Sequence, residues 1–263
     1  MKKIFCFTMA VLILISCLGI TAFAKSEGYS WYCVHRKDGK QPRCDASMEF
    51  IEKYNGFYID KNHGDNSNEK VIYLTFDAGY ENGNTAKILD IMKAENVTGA
   101  FFILSHLINS EPELVRRMAD EGHTVCNHTS RHKDMTQITN KDDFKAELDS
   151  LEELYHKTTG KQMSKYYRPP EGKFSEENLA IANELGYKTI FWSFAYADWD
   201  NNHQMSEEAA MNKIMSNIHN GEIMLLHPTS STNAAILDRV IRALKAQGYS
   251  FGSFDELTVG GRR

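Results

Sequence analysis

The sequence lacks the excess of positive charge that is typical of nucleic-acid-binding proteins. Its 263 residues include 30 lysines and arginines and 35 aspartates and glutamates, so the formal net charge is -5 at pH 7. A mildly acidic chain binds a phosphate backbone poorly, and we expect no nucleic-acid partner. Internal repeats and low-complexity tracts are also absent. The length suits one large domain with a full core.

Long apolar runs are missing, except for one at the amino terminus. Two lysines precede an apolar run at residues 4–20, and the triplet Ala22-Phe23-Ala24 has the pattern of a cleavage signal. These features predict a signal peptide at residues 1–24 and an exported mature protein. A retained anchor and lipidation of Cys17 remain alternatives, although the run is shorter than the ~20 residues that a membrane span needs.

Cysteine is scarce, with five residues in the whole chain and two of them in the predicted signal peptide. Cys33 and Cys44 flank a turn-rich segment, so we predict a disulfide between them in an oxidising compartment. Cys126 lies in an apolar stretch, which favours a buried thiol over a nucleophile.

Strand and helix patterns alternate regularly along most of the chain. Seven strands are predicted near residues 71–76, 97–104, 123–127, 165–168, 188–194, 222–227 and 248–254. Helical patterns lie between them near residues 85–95, 111–121, 141–157, 175–185, 206–218 and 233–247. Such alternation indicates a parallel sheet, and seven strands are one fewer than in the common barrel. We therefore predict an α/β fold, namely a distorted seven-stranded (β/α) barrel.

The segment before the first barrel strand has a weaker pattern. We predict that residues 25–69 form a small N-terminal extension, in which an amphipathic helix near residues 48–58 caps the main domain. The catalytic domain is predicted at residues 70–258.

Polar residues follow several of the predicted strands. Asp77 ends the first strand, His128 and His132 follow the third, and Arg168 ends the fourth. The last two strands of this series end at Asp198-Trp199 and at His227. Carboxyl ends of parallel strands meet at one rim, where active sites of such folds lie. Two histidines four residues apart on a helical turn share one face and reach one divalent ion.

These segments together resemble the five motifs of a known enzyme family. They are Thr75-Phe-Asp-Ala-Gly79, His128-Thr-Ser-Arg-His132, Arg168-Pro-Pro-Glu-Gly172, Asp198-Trp199 and Leu225-Leu-His227. In order and spacing the series is similar to that of NodB-type polysaccharide deacetylases, carbohydrate esterase family 4, over about residues 70–255. Within the family, the segments 50–54 and 80–83 are most similar to those of spore-cortex N-acetylmuramic acid deacetylases, which prepare muramic δ-lactam.

The resemblance implies a role for each matched residue. Asp77 matches the catalytic base, Arg168 the residue that orients it, and His227 the general acid, which Asp198 keeps charged. His128 and His132 match ligands of a divalent metal, with zinc expected first and manganese or cobalt as alternatives. The resemblance also implies substrate contacts from four further residues, namely Trp199, Leu225, Tyr167 and Arg131.

Two positions depart from the family pattern. Ala78 replaces the aspartate that binds the metal together with the two histidines, and Ala195 replaces an acid of the fourth motif. Loss of an anionic ligand is expected to weaken metal binding and to leave a coordination position open for water or for Glu81.

The resemblance implies a secreted peptidoglycan N-deacetylase that acts on N-acetylmuramic acid after an N-acetylmuramoyl-L-alanine amidase has removed the stem peptide. Arg131 or Lys173 is a candidate to recognise the exposed lactyl carboxylate, and the alternative is that both side chains only face solvent. An N-acetylglucosamine or chitin-type deacetylase remains an alternative. Because of Ala78, an inactive glycan-binding module remains a second alternative.

Overall fold

The chain folds around a curled parallel sheet whose outer face packs against helices. The structure is a computed structural model that describes residues 28–257, so the predicted signal peptide lies outside the described residues. The strands are β1 (Gly28–Ser30), β2 (Gly56–Phe57), β3 (Lys70–Ala78), β4 (Ala100–Ile103), β5 (Thr124–Asn127), β6 (Tyr166–Tyr167), β7 (Lys173–Ser175), β8 (Lys188–Ile190), β9 (Glu222–Leu226) and β10 (Tyr249–Phe251). The helices are α1 (Thr85–Ala94), α2 (Ser105–Ser110), α3 (Pro112–Asp120), α4 (Lys141–Thr159), α5 (Glu176–Glu184), α6 (Glu207–Met215) and α7 (Ser231–Ala246).

The seven predicted strands are all present in one parallel sheet. Its order is β10-β3-β4-β5-β6-β8-β2, and β9 pairs with β3. β9 occupies one edge of β3, and β4 and β10 pair with different parts of the other edge. Single bridges from Phe194 to Met224 and from Ile59 to Glu222 join the two ends of the curled sheet. The predicted distorted barrel is therefore confirmed.

Alternate residues of β3 face opposite sides, as the two-residue period of a strand requires. Ile72 and Leu74 pack against the helical layer, whereas Val71 and Tyr73 pack inside the barrel. In the same register, Asp77 faces the interior at the carboxyl end of the strand. This register directs the carboxylate of Asp77 toward the rim where the other predicted site residues lie.

The six predicted helices are present within a few residues of their expected bounds, and α2 is an additional one. Local signals fix their ends. The side chain of Asn140 accepts hydrogen bonds from the first backbone N–H groups of α4, and Gly160 ends this helix with a φ of 72°. Among residues 28–257, no helix combines the length and apolar character needed to cross a membrane.

The N-terminal extension is built into the barrel. β1 pairs antiparallel with β7, and β2 adds to the main sheet parallel to β8. The amphipathic helix predicted near residues 48–58 is a 3₁₀ helix at Ala46–Tyr54, which ends at Asn55 in the left-handed region. The extension thus contributes a strand to the sheet, whereas the sequence indicated only a cap.

The three cysteines of the described region are all free. Cys33 and Cys44 lie opposite each other in an antiparallel bridge, but the predicted disulfide between them is not formed in this structure. Cys126 is fully buried inside the barrel, as predicted, and burial raises the pKa of its thiol to about 12.

Candidate active site

A cavity of about 660 Å³ opens at the carboxyl ends of the barrel strands. Its volume lies in the usual range of small-molecule sites. Six of the ten predicted site residues line it, namely Asp77, His128, His132, Trp199, Leu225 and His227. Arg168 and Asp198 lie directly behind this lining, where Arg168 contacts Asp77 and His128, and Asp198 contacts His227.

Arg168 holds Asp77 from inside the barrel. Its Nη1 donates a hydrogen bond to Asp77 Oδ1 at 2.7 Å, and its Nη2 donates to Thr75 Oγ1 at 3.0 Å. The guanidinium is fully buried and lies 4.0 Å from the ring centroid of Phe102. Burial alone would raise the pKa of Asp77. The charge of Arg168, with a further contribution from His227, outweighs burial and lowers that pKa below its ordinary value.

His227 is held by Asp198 in the same way, with the charges reversed. The imidazole Nδ1–H donates to Asp198 Oδ1 at 2.7 Å, and the backbone N–H of His227 donates to Oδ2 at 2.8 Å. Asn233 donates a further hydrogen bond to this buried carboxylate at 2.6 Å. Burial alone would lower the pKa of His227, but the hydrogen bond and charge of Asp198, with the charge of Asp77, raise it.

His128 and His132 present two imidazoles to the cavity, with ring centroids 5.0 Å apart. The Nδ1–H of His128 donates to the carbonyl of Arg168 at 2.8 Å, so its Nε2 keeps a free lone pair. That Nε2 lies 3.6 Å from Asp77 Oδ2. Burial lowers the pKa of His128 to about 4 and also lowers that of His132. Both rings are therefore neutral at pH 7, the form that ligates metals.

The backbone that presents the two histidines is a loop, so the helical turn assumed from their spacing is wrong. Thr129 and His132 both have positive φ, at 70° and 56°. Side chains hold this conformation in place. Asn127 Oδ1 accepts from the N–H of Thr129 at 2.9 Å, and Thr129 Oγ1 accepts from the N–H of His132 at 3.0 Å.

The donor set fits a divalent ion bound through two imidazole nitrogens. Ala78 supplies no ligand, and its side chain belongs to the hydrophobic core. Glu81 does not replace it, because its carboxylate accepts hydrogen bonds from the N–H groups of Gly83 and Thr85 at the start of α1. Within residues 28–257, no three His, Cys, Asp or Glu side chains form a cluster with metal-site geometry. The remaining coordination positions would be open to water or substrate.

The other predicted contact residues divide into two groups. Leu225 is buried in the cavity wall, whereas Trp199 is 63% exposed at the mouth. Tyr167 and Arg131 are not among the lining residues. Tyr167 is buried between Phe144 and Tyr187, and Arg131 pairs with Glu147 of α4. Lys173 pairs with Glu171 at 2.6 Å.

The sequence interpretation assigned no role to several residues that line the cavity, namely Gly79, Tyr80, Leu104, Glu171, Trp192, Tyr196 and Thr229. Tyr80 is 61% exposed, and its ring lies 4.6 Å from that of His106. The sequence could have identified Gly79, Tyr80 and Leu104 as cavity residues, because they directly follow β3 and β4.

The chain is similar to known proteins over most of its length. A family model described as polysaccharide deacetylase matches residues 64–190. The chain is 48% identical over 207 residues to the peptidoglycan-N-acetylmuramic acid deacetylase PdaA of Bacillus subtilis, with 79% of this chain and 76% of that protein covered. It is 32% identical over 198 residues to a peptidoglycan-N-acetylglucosamine deacetylase of Bacillus cereus, with 73% of this chain and 89% of that protein covered.

The fold comparison gives the same result. The solved structure of Bacillus subtilis PdaA, described as a family 4 carbohydrate esterase, superposes with a TM-score of 0.83 at 43% sequence identity. The match covers 88% of this chain and 97% of that one. The chain belongs to the NodB-type polysaccharide deacetylases, carbohydrate esterase family 4.

Proposed function

We propose that this protein is a peptidoglycan N-deacetylase that hydrolyses the acetamide of N-acetylmuramic acid. The main support is the pair of titratable groups on one cavity whose pKa values shift in opposite directions. The lowered pKa of Asp77 favours its carboxylate form, and the raised pKa of His227 favours its imidazolium form. A carboxylate that can act as a base and an imidazolium that can act as an acid in one cavity suit amide hydrolysis.

The proposed reaction uses each group once. Asp77 accepts a proton from the water that attacks the acetyl carbonyl, while Arg168 keeps the carboxylate in place. His227 donates its Nε2 proton to the leaving amine, and Asp198 stabilises the imidazolium through Nδ1. The C–N bond breaks, and the products are acetate and a free 2-amino group. Leu225 supplies an apolar wall next to the acetyl methyl.

We assign the metal-holding role to His128 and His132. A divalent ion bound there would polarise the acetyl carbonyl and lower the pKa of water, with zinc expected first and manganese or cobalt as alternatives. The tautomer of His128, fixed by the Arg168 carbonyl, supports this assignment.

The choice of muramic acid rests on the relative from Bacillus subtilis, whose name gives that sugar. Deacetylation places a free amine beside the lactyl carboxylate of the same ring, so lactam closure is intramolecular and favoured by proximity. A stem peptide on that carboxyl would block closure. We therefore propose that an amidase acts first, that muramic δ-lactam of spore cortex is the end product, and that the enzyme acts outside the cytoplasm.

Exposed aromatic rings at the mouth support a glycan substrate. Tyr80 and Trp199 are both more than half exposed and both line the cavity. Aromatic surface beside a few directed polar groups is typical of ligand sites. The relative from Bacillus cereus, named for N-acetylglucosamine, supports glucosamine as the alternative substrate.

An acetyl-release assay on N-acetylated glycans, with and without a chelator, tests the proposed activity. We expect acetate release that the chelator abolishes and that added zinc restores. Glycan binding without any acetate release under all metal conditions would instead identify an inactive binding module, as Ala78 allows.

A further inference from the structure

We propose that Trp31, in the N-terminal extension, is a positioning residue that fixes Arg168 against Asp77. The proposal rests on the proposed roles of Arg168 and Asp77. Residue 31 lies before the range that the family model matches, residues 64–190. The structure nevertheless places Trp31 in contact with the two segments that determine the position of the Arg168 guanidinium.

The first of these segments accepts hydrogen bonds from Arg168. Its Nε donates to the carbonyl of Ile190 at 2.9 Å, and its Nη2 donates to the carbonyl of Phe191 at 3.3 Å. The ring of Trp192 lies 5.7 Å from the guanidinium carbon. Residues 190–192, at the end of β8, therefore hold the guanidinium in the position from which Nη1 reaches Asp77. We call these three residues the seat of the guanidinium.

Trp31 supports this seat from the outside. Its indole N–H donates to the carbonyl of Trp192 at 2.8 Å, and its ring stacks on Phe191 with centroids 4.5 Å and planes 26° apart. The side chain is buried, with 5% exposure. A displacement of Trp31 would thus release residues 191 and 192, which contact the guanidinium directly.

The second segment is the loop that follows Arg168. The backbone N–H of Trp31 donates to the carbonyl of Gly172 at 2.9 Å. Gly172 has a φ of 66°, and a Cβ there would lie 2.8 Å from the ring of Trp192 and 3.1 Å from Trp31 Cβ. The loop, the seat and Trp31 are therefore packed without spare room. Trp31 joins the loop of Arg168 to the segment that receives its hydrogen bonds.

A double-mutant cycle tests this role. We expect Trp31→Phe to lower kcat about fivefold with little change in KM, because it removes the indole donor but not the substrate contacts. In an Arg168→Lys background the same change should lower kcat less than about twofold, since a residue that acts through Arg168 loses its effect there. The control is Tyr29→Leu, which disturbs stacking on Phe174 in the same cluster but does not touch the seat.

Equal losses from Trp31→Phe in both backgrounds, or an equal loss from Tyr29→Leu, would overturn the proposal. If Trp31→Phe does not fold by circular dichroism, the benzothienyl analogue of tryptophan at position 31 replaces it, because it keeps the ring shape and removes only the N–H. Wild-type protein without acetyl release would refute the proposed function. If the wild type is active but the effects of Trp31→Phe and Arg168→Lys on kcat are additive, only the role of Trp31 is refuted.

Discussion

Asp77 and Asp198 are both carboxylates, but their partners give them different chemistry. Asp77 bonds to a guanidinium, which cannot give up its proton at neutral pH, so it remains an anion that is free to accept one. Asp198 bonds to an imidazole and to an asparagine amide, so it stabilises a proton on His227. The partner of each carboxylate, rather than the carboxylate itself, sets its proposed role.

Removal of either proton-transfer group should nearly abolish turnover. We expect Asp77→Asn and His227→Ala each to lower kcat at least about 100-fold with the fold retained, because general acid–base catalysis contributes that much. Matched controls are Asp90→Asn and His203→Ala, whose side chains are exposed and do not line the cavity. Steady-state acetate release measures the effect, and near-wild-type activity in either site variant would refute its assignment.

The pH profile should depend on Asp198. The proposed reaction requires protonated His227, and the raised pKa of that group keeps it protonated to higher pH. Activity is therefore lost as pH rises through this pKa. An amide in place of the carboxylate removes the charge that raises the pKa, so Asp198→Asn should move the alkaline limb of kcat/KM to lower pH. An unchanged alkaline limb in this variant would show that another group controls it.

The positions of site residues were predictable where a motif specifies them, and less so where side-chain direction decides. Asp77, His128 and His227 reach one cavity because each lies at, or directly after, the carboxyl end of a parallel strand. Tyr167 also sits at a strand end, but β6 has only two residues. The side chain of Tyr166 packs inside the barrel, whereas that of Tyr167 packs outside it, against α4 and α5. No sequence period reveals that choice in so short a strand.

At the scale of elements, the loop after β5 presents both residues of the proposed metal site. Burial lowers the pKa of both imidazoles, and the conformation of the loop depends on the side chains of Asn127 and Thr129. We expect His128→Ala and His132→Ala each to abolish zinc binding by calorimetry, since each removes one of the two proposed nitrogen ligands. His106→Ala, which changes a histidine outside the cavity lining, is the control. Retained zinc affinity in both site variants would place the metal elsewhere.

The N-terminal extension shows what pattern analysis misses. β1 and β2 have three and two residues, too few for a hydrophobic period, and their partners lie more than 100 residues away in the chain. The long strand β3 has an uninterrupted apolar run, and helix α4 has a cap at each end, so both were predicted within two residues. The sequence predicted only a cap because it does not show that these short segments pair with strands far away in the chain.

At the scale of the whole molecule, the compartment should decide the state of Cys33 and Cys44. They are free here but lie opposite each other in an antiparallel bridge, a geometry within reach of a disulfide. If the protein is exported as proposed, we expect them to be joined. Non-reducing peptide mapping of secreted protein measures this, with Cys126 as the buried control. Two free thiols in secreted protein would rule out the pairing.

The most direct test of the central claim uses peptidoglycan with and without prior amidase treatment. Purified protein is incubated with each sample, and muropeptides are analysed by mass spectrometry. We predict loss of acetyl from muramic acid in the amidase-treated sample, followed there by the loss of water that marks lactam closure, and little reaction in the untreated one. Acetyl loss from glucosamine alone, or equal reaction in both samples, would contradict the proposed specificity.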